Sequence, residues 1–370
     1  MALQEEIEKG SRDIATDGYP MSIGEIMSLY KDGDLDLHPE FQREYRWKLS
    51  QKSRLIESIL LGIPLPSVFV FQRKDGVWDV IDGLQRLSTI LEFAGELKDE
   101  NGTLVPPLQL AKTRYLPSLA DTFWDNEAGS KSLDDVQRRT IKRSKLDIKI
   151  VKSDSSETSK FELFDRLNTG GTIASGQEVR NCLLIMANRE MFYWLKGLAN
   201  DPNFVACTAL SSRQIEEKYD IELVLRLILF KDISDTELRF EELGDFLTER
   251  MLAVAAGKID LDRNTSGAAF TEVFKVLTEC GLAEDSFRKY DWTKQKFVGA
   301  FSISSFEAVS IGLGTRFTTN PNFTASPRLE AAIKDLWCNP IFLSNSGSGV
   351  RAGSRIPKIV PLGRILLANV

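Results

Sequence analysis

The chain of 370 residues contains one histidine, His38. That scarcity excludes whole classes of chemistry. A nuclease site of the HNH type needs a histidine base and further histidine ligands, and a Ser-His-Asp triad needs a histidine of its own. Only one such role can be filled, and His38 has neither a cysteine nor a nucleophilic serine motif beside it. Cysteine is sparse as well. Cys182, Cys207, Cys280 and Cys338 stand at no metal-ligand spacing and read as buried free thiols of a cytoplasmic protein. No G-x-x-x-x-G-K-[ST] loop is present. Long apolar runs are lacking too: the longest, Ile221 to Phe230, is broken by Glu222 and Arg226 and is too short for a bilayer, so no membrane partner is expected. The polar stretch Met1 to Asp13 is not expected to be a signal peptide. The net charge of −6 excludes a basic coat over the whole surface, though not a local basic groove.

What is present is an ordinary globular composition, 42% hydrophobic and 27% charged, in a chain long enough for two domains. Ser22 followed by Glu25 predicts a capped helix over 22–30. Ser50 is expected to cap a second helix, with Leu55, Ile56, Ile59 and Leu60 on its apolar face, and Ile63 to Pro66 to stop it. Ser67 to Phe71 and Val77 to Ile81 read as a hairpin around Lys74-Asp75-Gly76. Asp82-Gly83 then leads into a helix that buries Leu84, Leu87, Ile90, Leu91 and Ala94. Residues 98–130 look like a long loop, 133–145 a basic helix, and Leu146, Ile148 and Ile150 mark a strand with one covered face. A helix is expected from Glu157 to Leu167, and Ser175 with Glu178 predicts a long capped helix to about Leu195. Beyond it the pattern is helical over 213–231, 236–256, 267–281, 302–313 and 326–336. The expected organisation is therefore α+β, a mixed-sheet domain over 1–195 followed by a mainly α-helical domain over 196–370.

Four stretches could carry chemistry. In Asp82-Gly83-Leu84-Gln85-Arg86, a strand runs into a helix through glycine. The first helical N–H groups lack partners there, and the helix dipole favours an anion. Gly83 would let a phosphate approach the backbone and Arg86 would add a forked donor, while Asp82 could cap the helix, hold a divalent metal beside the phosphates, or orient Arg86. The same five residues equally describe a plain turn capped by Asp82 with Arg86 in solvent. The segment Pro39 to Trp47 interleaves Gln42, Arg43 and Arg46 with Phe41, Tyr45 and Trp47, which suits base stacking and equally suits an edge strand. Phe164 to Gly171 ends a helix in Asn168-Thr169-Gly170-Gly171, with Arg166 and Asn168 offering donors, or simply forming a C-cap and loop. Two basic stretches are candidate DNA contacts: Arg138, Arg139, Lys142 and Arg143 on one helix, and Arg351 with Arg355 in a Gly/Ser-rich run that reads as a phosphate-gripping or mobile loop.

These pieces occur in a fixed order: F-Q-R-x-Y-x-W, the helix Arg54 to Pro64, a hairpin, I-D-G-x-Q-R-L-S-T, then F-x-R-L-N-T-G-G and S-G-Q-E-V-R from Ser175 to Arg180. The ordered set, covering about 20–190, resembles the domain of unknown function 262 family, the ParB/sulfiredoxin-like domain at the N-terminus of GmrSD-type restriction enzymes. The resemblance implies a ParB/sulfiredoxin-like fold and a part in bacterial defence against phage DNA. It also implies nucleotide-binding roles for Asp82, Gly83, Gln85 and Arg86, with Gln42, Arg43, Arg166 and Asn168 lining the pocket. By the same resemblance Asp82 and Arg86 are the candidate catalytic pair, a nucleoside triphosphate is the expected ligand, and Mg²⁺ at Asp82 is its candidate companion. Two departures stand out. Leu84 replaces the first glutamine of the family's D-G-Q-Q-R motif, removing one amide donor that hydrolysis would use. The C-terminal HNH domain of restriction-type members has no counterpart among these residues, the one histidine lying in the N-terminal half.

The expected function is a nucleotide-binding, NTP-hydrolysing sensor or switch in restriction defence. DNA, a partner effector protein and further copies of the chain are its candidate partners. Two other readings stay open. One is a metal-dependent DNA-nicking nuclease built on the carboxylates of Asp82, Glu57 and Glu40; the other is a non-catalytic DNA-binding or adaptor module using the basic stretch at 138–152.

Overall fold

A computed structural model describes residues 16–37, 47–99, 101–125, 131–152, 175–320, 328–347, 349–368 and 370. The chain divides into two compact units, Met1–Ile173 and Ala174–Val370. The first is a mixed sheet with helices and the second is mostly helical, as the α+β expectation has it.

In the first unit, β1 (Thr16–Ser22) leads directly into α1 (Ile23–Asp32). Ser22 Oγ accepts the Glu25 N–H at 3.2 Å, and Gly33 ends the helix in the left-handed conformation at φ 84°. β2 (Leu35–Asp36) follows, then α2 (Leu49–Leu60). Lys48 rather than Ser50 is the residue before the first turn of α2: its N–H donates to Gln51 Oε1 at 2.9 Å, and Ser50 is helical. The hairpin β3 (Val68–Gln72) and β4 (Trp78–Asp82) turns at Gly76, with φ 92°. β4 feeds α3 (Leu84–Phe93), and α4 (Asp135–Arg143) feeds β5 (Lys145–Val151).

The sheet order is β1-β5-β3-β4-β2. β5 pairs parallel to β3 and antiparallel to β1, and β2 pairs parallel to β4. β1 carries Gly18 and Pro20, which hide it from any alternation test; an edge strand tolerates both, because one row of its backbone groups has no neighbour. On β5, Leu146, Ile148 and Ile150 are buried while Lys145, Asp147 and Lys149 are exposed, the half-covered strand predicted. The core gathers Val68, Val70, Val80 and these β5 residues with Ile23, Ile26 and Met27 of α1, Leu55, Ile56 and Ile59 of α2, and Leu87, Ile90 and Leu91 of α3.

The described residues of 98–125 form little regular structure, yet they belong to this core. Leu108, Leu110 and Leu119 are buried in it, and Ala111 N–H donates to Ser53 Oγ of α2 at 2.8 Å. Their backbone polar groups are met by side chains of a helix, which no local pattern announces.

The second unit opens with α5 (Gly176–Ala199), capped by Ser175 and Glu178 as predicted. The expected boundary at 195/196 falls inside this helix, whose neighbours include α8 and α9 of the second unit. There follow α6 (Pro202–Thr208), α7 (Ser212–Glu216), α8 (Tyr219–Phe230), α9 (Leu243–Ala255) and α10 (Arg263–Glu279). The hairpin β6 (Lys289–Asp291) and β7 (Lys296–Val298) precedes α11 (Ile303–Thr319), α12 (Arg328–Leu336), α13 (Pro340–Asn345) and α14 (Ala352–Leu366).

The second half of the Gly/Ser-rich run around Arg351 and Arg355, expected as a loop, is helical: residues 352–358 open α14, which carries Pro357 and Pro361 in its interior. Tertiary contact holds this helix. A Cβ on Gly363 would run into the carbonyl of Ala308 on α11, and one on Gly312 would lie 2.8 Å from the Gly363 backbone. The two helices thus meet backbone to backbone, and the small residues permit the approach. Arg364 adds a clamp, donating to the carbonyls of Phe230 at 2.8 Å and Ile233 at 2.7 Å, beyond the end of α8. Of the four cysteines only Cys207 is buried, its pKa raised by that burial; Cys182 and Cys280 are half-buried and Cys338 is exposed, against the expectation that all are interior. No helix among the described residues is long and apolar enough to cross a membrane.

Candidate phosphate-binding turn

β4 ends at Asp82 and α3 begins at Leu84, with Gly83 between them at φ 98°. Two physical demands fall on Gly83. A side chain in that conformation is strained, and a Cβ would stand 2.8 Å and 3.2 Å from the two Cγ atoms of Val68 on β3. The glycine therefore answers first to the packing of the turn on the hairpin. No side chain among the described residues caps α3, so Asp82 is not the N-cap. The start of α3, at the positive end of the helix dipole, thus has no side-chain cap among the described residues.

Asp82 instead takes the third of its expected roles. A register shift between Phe69 and Val70 sets it opposite Phe69. Its carboxylate, 45% exposed, accepts from Arg86 Nη2 at 3.0 Å. Arg86 is buried, not solvated. Its Nη1 donates to the Pro66 carbonyl and its Nη2 also to the Ser67 carbonyl at 3.2 Å. Burial lowers the Arg86 pKa, and the Asp82 charge works against that fall. The guanidinium thus ties three pieces together: the Pro66-Ser67 link into β3, the end of β4, and the first turn of α3. Gln85 lies half-buried in that first turn.

The other expected pocket residues, Gln42, Arg43, Arg166 and Asn168, lie outside the described residues, as do His38, Glu40 and the predicted helix 157–167. Glu57 is described, and among the described residues it joins no carboxylate cluster. It is 4% exposed, and its Oε1 accepts the N–H groups of Tyr115 at 2.7 Å and Leu116 at 2.9 Å. Burial pushes its pKa up, but hydrogen bonds from Thr113, Leu116 and Tyr115 and the charge of Arg54 outweigh that and hold it below the ordinary value. Asp79, three residues before Asp82 on β4, is fully buried with Arg73 Nη1 at 3.5 Å. Nothing in the sequence separates the roles of these two aspartates. Among the described residues no group of three or more His, Cys, Asp or Glu side chains is placed to hold a metal. The half-exposed carboxylate of Asp82 would still fit Mg²⁺ if a phosphate group lay at this helix end, since Mg²⁺ is ordinarily held by one or two carboxylates together with a ligand's phosphates.

The basic stretch divides on inspection. Arg138 is pinned, its Nη2 2.6 Å from Asp135 and its Nη1 2.8 Å from the Leu133 carbonyl. Arg139, Lys142 and Arg143 are exposed along α4, and Lys142 lies 5.9 Å from the Trp124 ring. In the second unit Arg351 is exposed, but Arg355 is buried at 8% exposure. Arg355 Nε donates to Glu307 Oε2 at 2.7 Å and Nη1 to the Val350 carbonyl at 3.0 Å. Its expected place in a phosphate-gripping loop gives way to a buried ion pair, because 352–366 is a helix packed on α11.

No curated protein and no solved structure matches the chain. One family model does match: residues 23–185, somewhat less than half of the chain, are similar to the GmrSD restriction endonuclease, N-terminal domain, the family that the ordered motifs resemble.

Proposed function

We propose that the protein serves restriction-type defence as a nucleotide-controlled sensor, binding the phosphates of a nucleoside triphosphate at the turn between β4 and α3. One observation carries this reading: an uncapped helix N-terminus at Gly83 with the exposed carboxylate of Asp82 fixed beside it by Arg86. The N–H groups of Leu84 and Arg86 in the first turn of α3 receive phosphate oxygens. Asp82 faces the cation that escorts them, which when bound would neutralise phosphate charge. Arg86 acts as a positioning residue in this arrangement, since its donors are committed to Asp82, Pro66 and Ser67. The similarity of 23–185 to a restriction endonuclease domain supports the defence role. Leu84 occupies the place of an amide donor, so the proposed activity is binding first and slow hydrolysis at most. DNA and an effector protein are the proposed partners through which a bound nucleotide acts.

Calorimetric titration of the full chain with ATP, GTP and CTP in Mg²⁺ tests the reading. The expected result is binding of at least one of them, weakened tenfold or more by Asp82→Asn. Equal affinity in wild type and Asp82→Asn, or no binding of any of the three, would sink it.

A further inference from the structure

The motif Ser175-Gly176-Gln177-Glu178-Val179-Arg180 is not used by the nucleotide reading, and all of it lies in the second unit. Arg180 is 4% exposed and held on two sides. Its Nε donates to Gln177 Oε1 at 2.7 Å, and its Nη2 to Glu222 of α8. Glu222 is itself shared with Arg226, whose Nη1 donates to Glu307 at 2.6 Å, and Glu307 is shared in turn with Arg355. Three arginines thus face two glutamates in this buried chain, and Arg180 is its outer end.

The third nitrogen of Arg180, Nη1, has no acceptor among the described residues. It lies 3.5 Å from where a Cβ of Gly176 would stand and 3.8 Å from where one of Gly244 would stand. Gly176 is the first residue of α5, and Gly244 is the second residue of α9. Two helix N-termini therefore meet at one guanidinium nitrogen, and at both the residue beside it lacks a side chain. α9 has no side-chain cap among the described residues, its Glu242 making no capping bond. Gly176 is exposed and Gly244 half-buried, so the spot is open to solvent. The neighbouring carboxylates do not occupy it: Glu178 accepts the Ser175 N–H, and Glu242 and Asp245 are exposed.

We infer that Arg180 Nη1, with the N–H groups of Gly176 and Gln177 that the Ser175 cap leaves in α5 and those of the first turn of α9, forms a second anion site that takes a phosphate group, either free or carried on a nucleotide. The chemistry is that of the one remaining guanidinium nitrogen of a cation held rigid by Glu222 and Gln177, lying beside two positive helix ends. The site includes none of the residues assigned to nucleotide binding at Asp82, and stands or falls separately from them.

The test uses the full chain and inorganic phosphate against chloride at matched ionic strength, read by thermal unfolding and by calorimetry. Wild type is expected to bind phosphate with a dissociation constant below about 1 mM and to unfold at higher temperature with it. The double variant Gly176→Ala/Gly244→Ala places methyl groups where the anion would sit, and alanine favours both helices. It should fold at least as well as wild type and bind phosphate at least tenfold more weakly. Titrating ATP into Asp82→Asn separates the sources. Tighter binding than phosphate, lost with the two alanines, assigns the site to a nucleotide; no gain over phosphate assigns it to the free ion. A wild type without a phosphate-specific shift, or a double alanine variant that binds as well as wild type, overturns the inference.

Discussion

Arg86 Nη2 lies 3.0 Å from Asp82 Oδ2 and 3.2 Å from the Ser67 carbonyl, so one guanidinium sets both the acidic residue and the loop entering β3. Arg86→Lys keeps the charge but loses the fork. It should destabilise the fold by about 2 kcal/mol, the scale of losing charge-assisted hydrogen bonds to buried carbonyls, and should weaken nucleotide binding with it. Asp82→Asn should leave the urea midpoint nearly unchanged while weakening Mg²⁺-dependent binding. Chemical denaturation alongside calorimetry separates the two effects; a marginally affected fold in Arg86→Lys would show that the carbonyl contacts contribute little.

Gly83→Ala should be among the costliest single changes in the first unit. The added methyl meets the Val68 side chain at 2.8 Å in a conformation with φ 98°. Strain and overpacking together predict a loss of roughly 2–4 kcal/mol. The double variant Gly83→Ala/Val68→Ala should recover the overpacking part and leave the strain, which a double-mutant cycle in urea measures.

Leu84 gives a gain-of-function test. Leu84→Gln restores the amide that the family motif carries at this position, on a first-turn residue half-buried against the core. Phosphate release from the preferred nucleotide is expected to rise over wild type, with affinity changed less than threefold. An unaltered rate would mean that the missing donor does not limit hydrolysis.

The buried ionic chain of the second unit predicts an acid limb in stability. Burial pushes the Glu222 carboxyl up, but the charges of Arg226 and Arg180 and their hydrogen bonds outweigh it and hold its pKa below the ordinary value. A carboxyl depressed in the folded state stabilises above the unfolded pKa, near 4.5. That stabilisation is lost as pH falls through the lower, folded value. Glu222→Gln should cost about 3 kcal/mol at pH 7, as expected for breaking a buried pair. Below pH 4.5 the gap between variant and wild type should narrow. Urea midpoints from pH 7 downward check the sign.

The exposed cations of α4 offer the measure of DNA contact. Arg139→Glu with Arg143→Glu should weaken any gel shift and reduce its salt slope by about 0.9 per lost phosphate contact. Arg138→Glu should act on stability instead, since Arg138 is bonded to Asp135 and the Leu133 carbonyl. Equal effects on binding from all three positions would argue against that division.

The sequence by itself determined what is local. Ser22 with Glu25 and Ser175 with Glu178 cap their helices because the partners are three residues apart and meet in the first turn. The alternation of β5 and the Asp75-Gly76 turn depend only on neighbours along the chain. The ordered motifs located the region that matches a known domain. Only the tertiary structure decided which charged residues are free. Glu57, Arg86 and Arg355 look in the sequence like candidates for chemistry. Each is taken by a partner about 20 to 60 residues away, Glu57 by Tyr115 and Leu116, Arg86 by Pro66, Arg355 by Glu307. The same holds for α14, whose prolines and glycines argue for a loop until α11 lies against it. Burial makes an unpartnered charge costly, so folding assigns partners by distance in space, and that distance is not written in the order of residues.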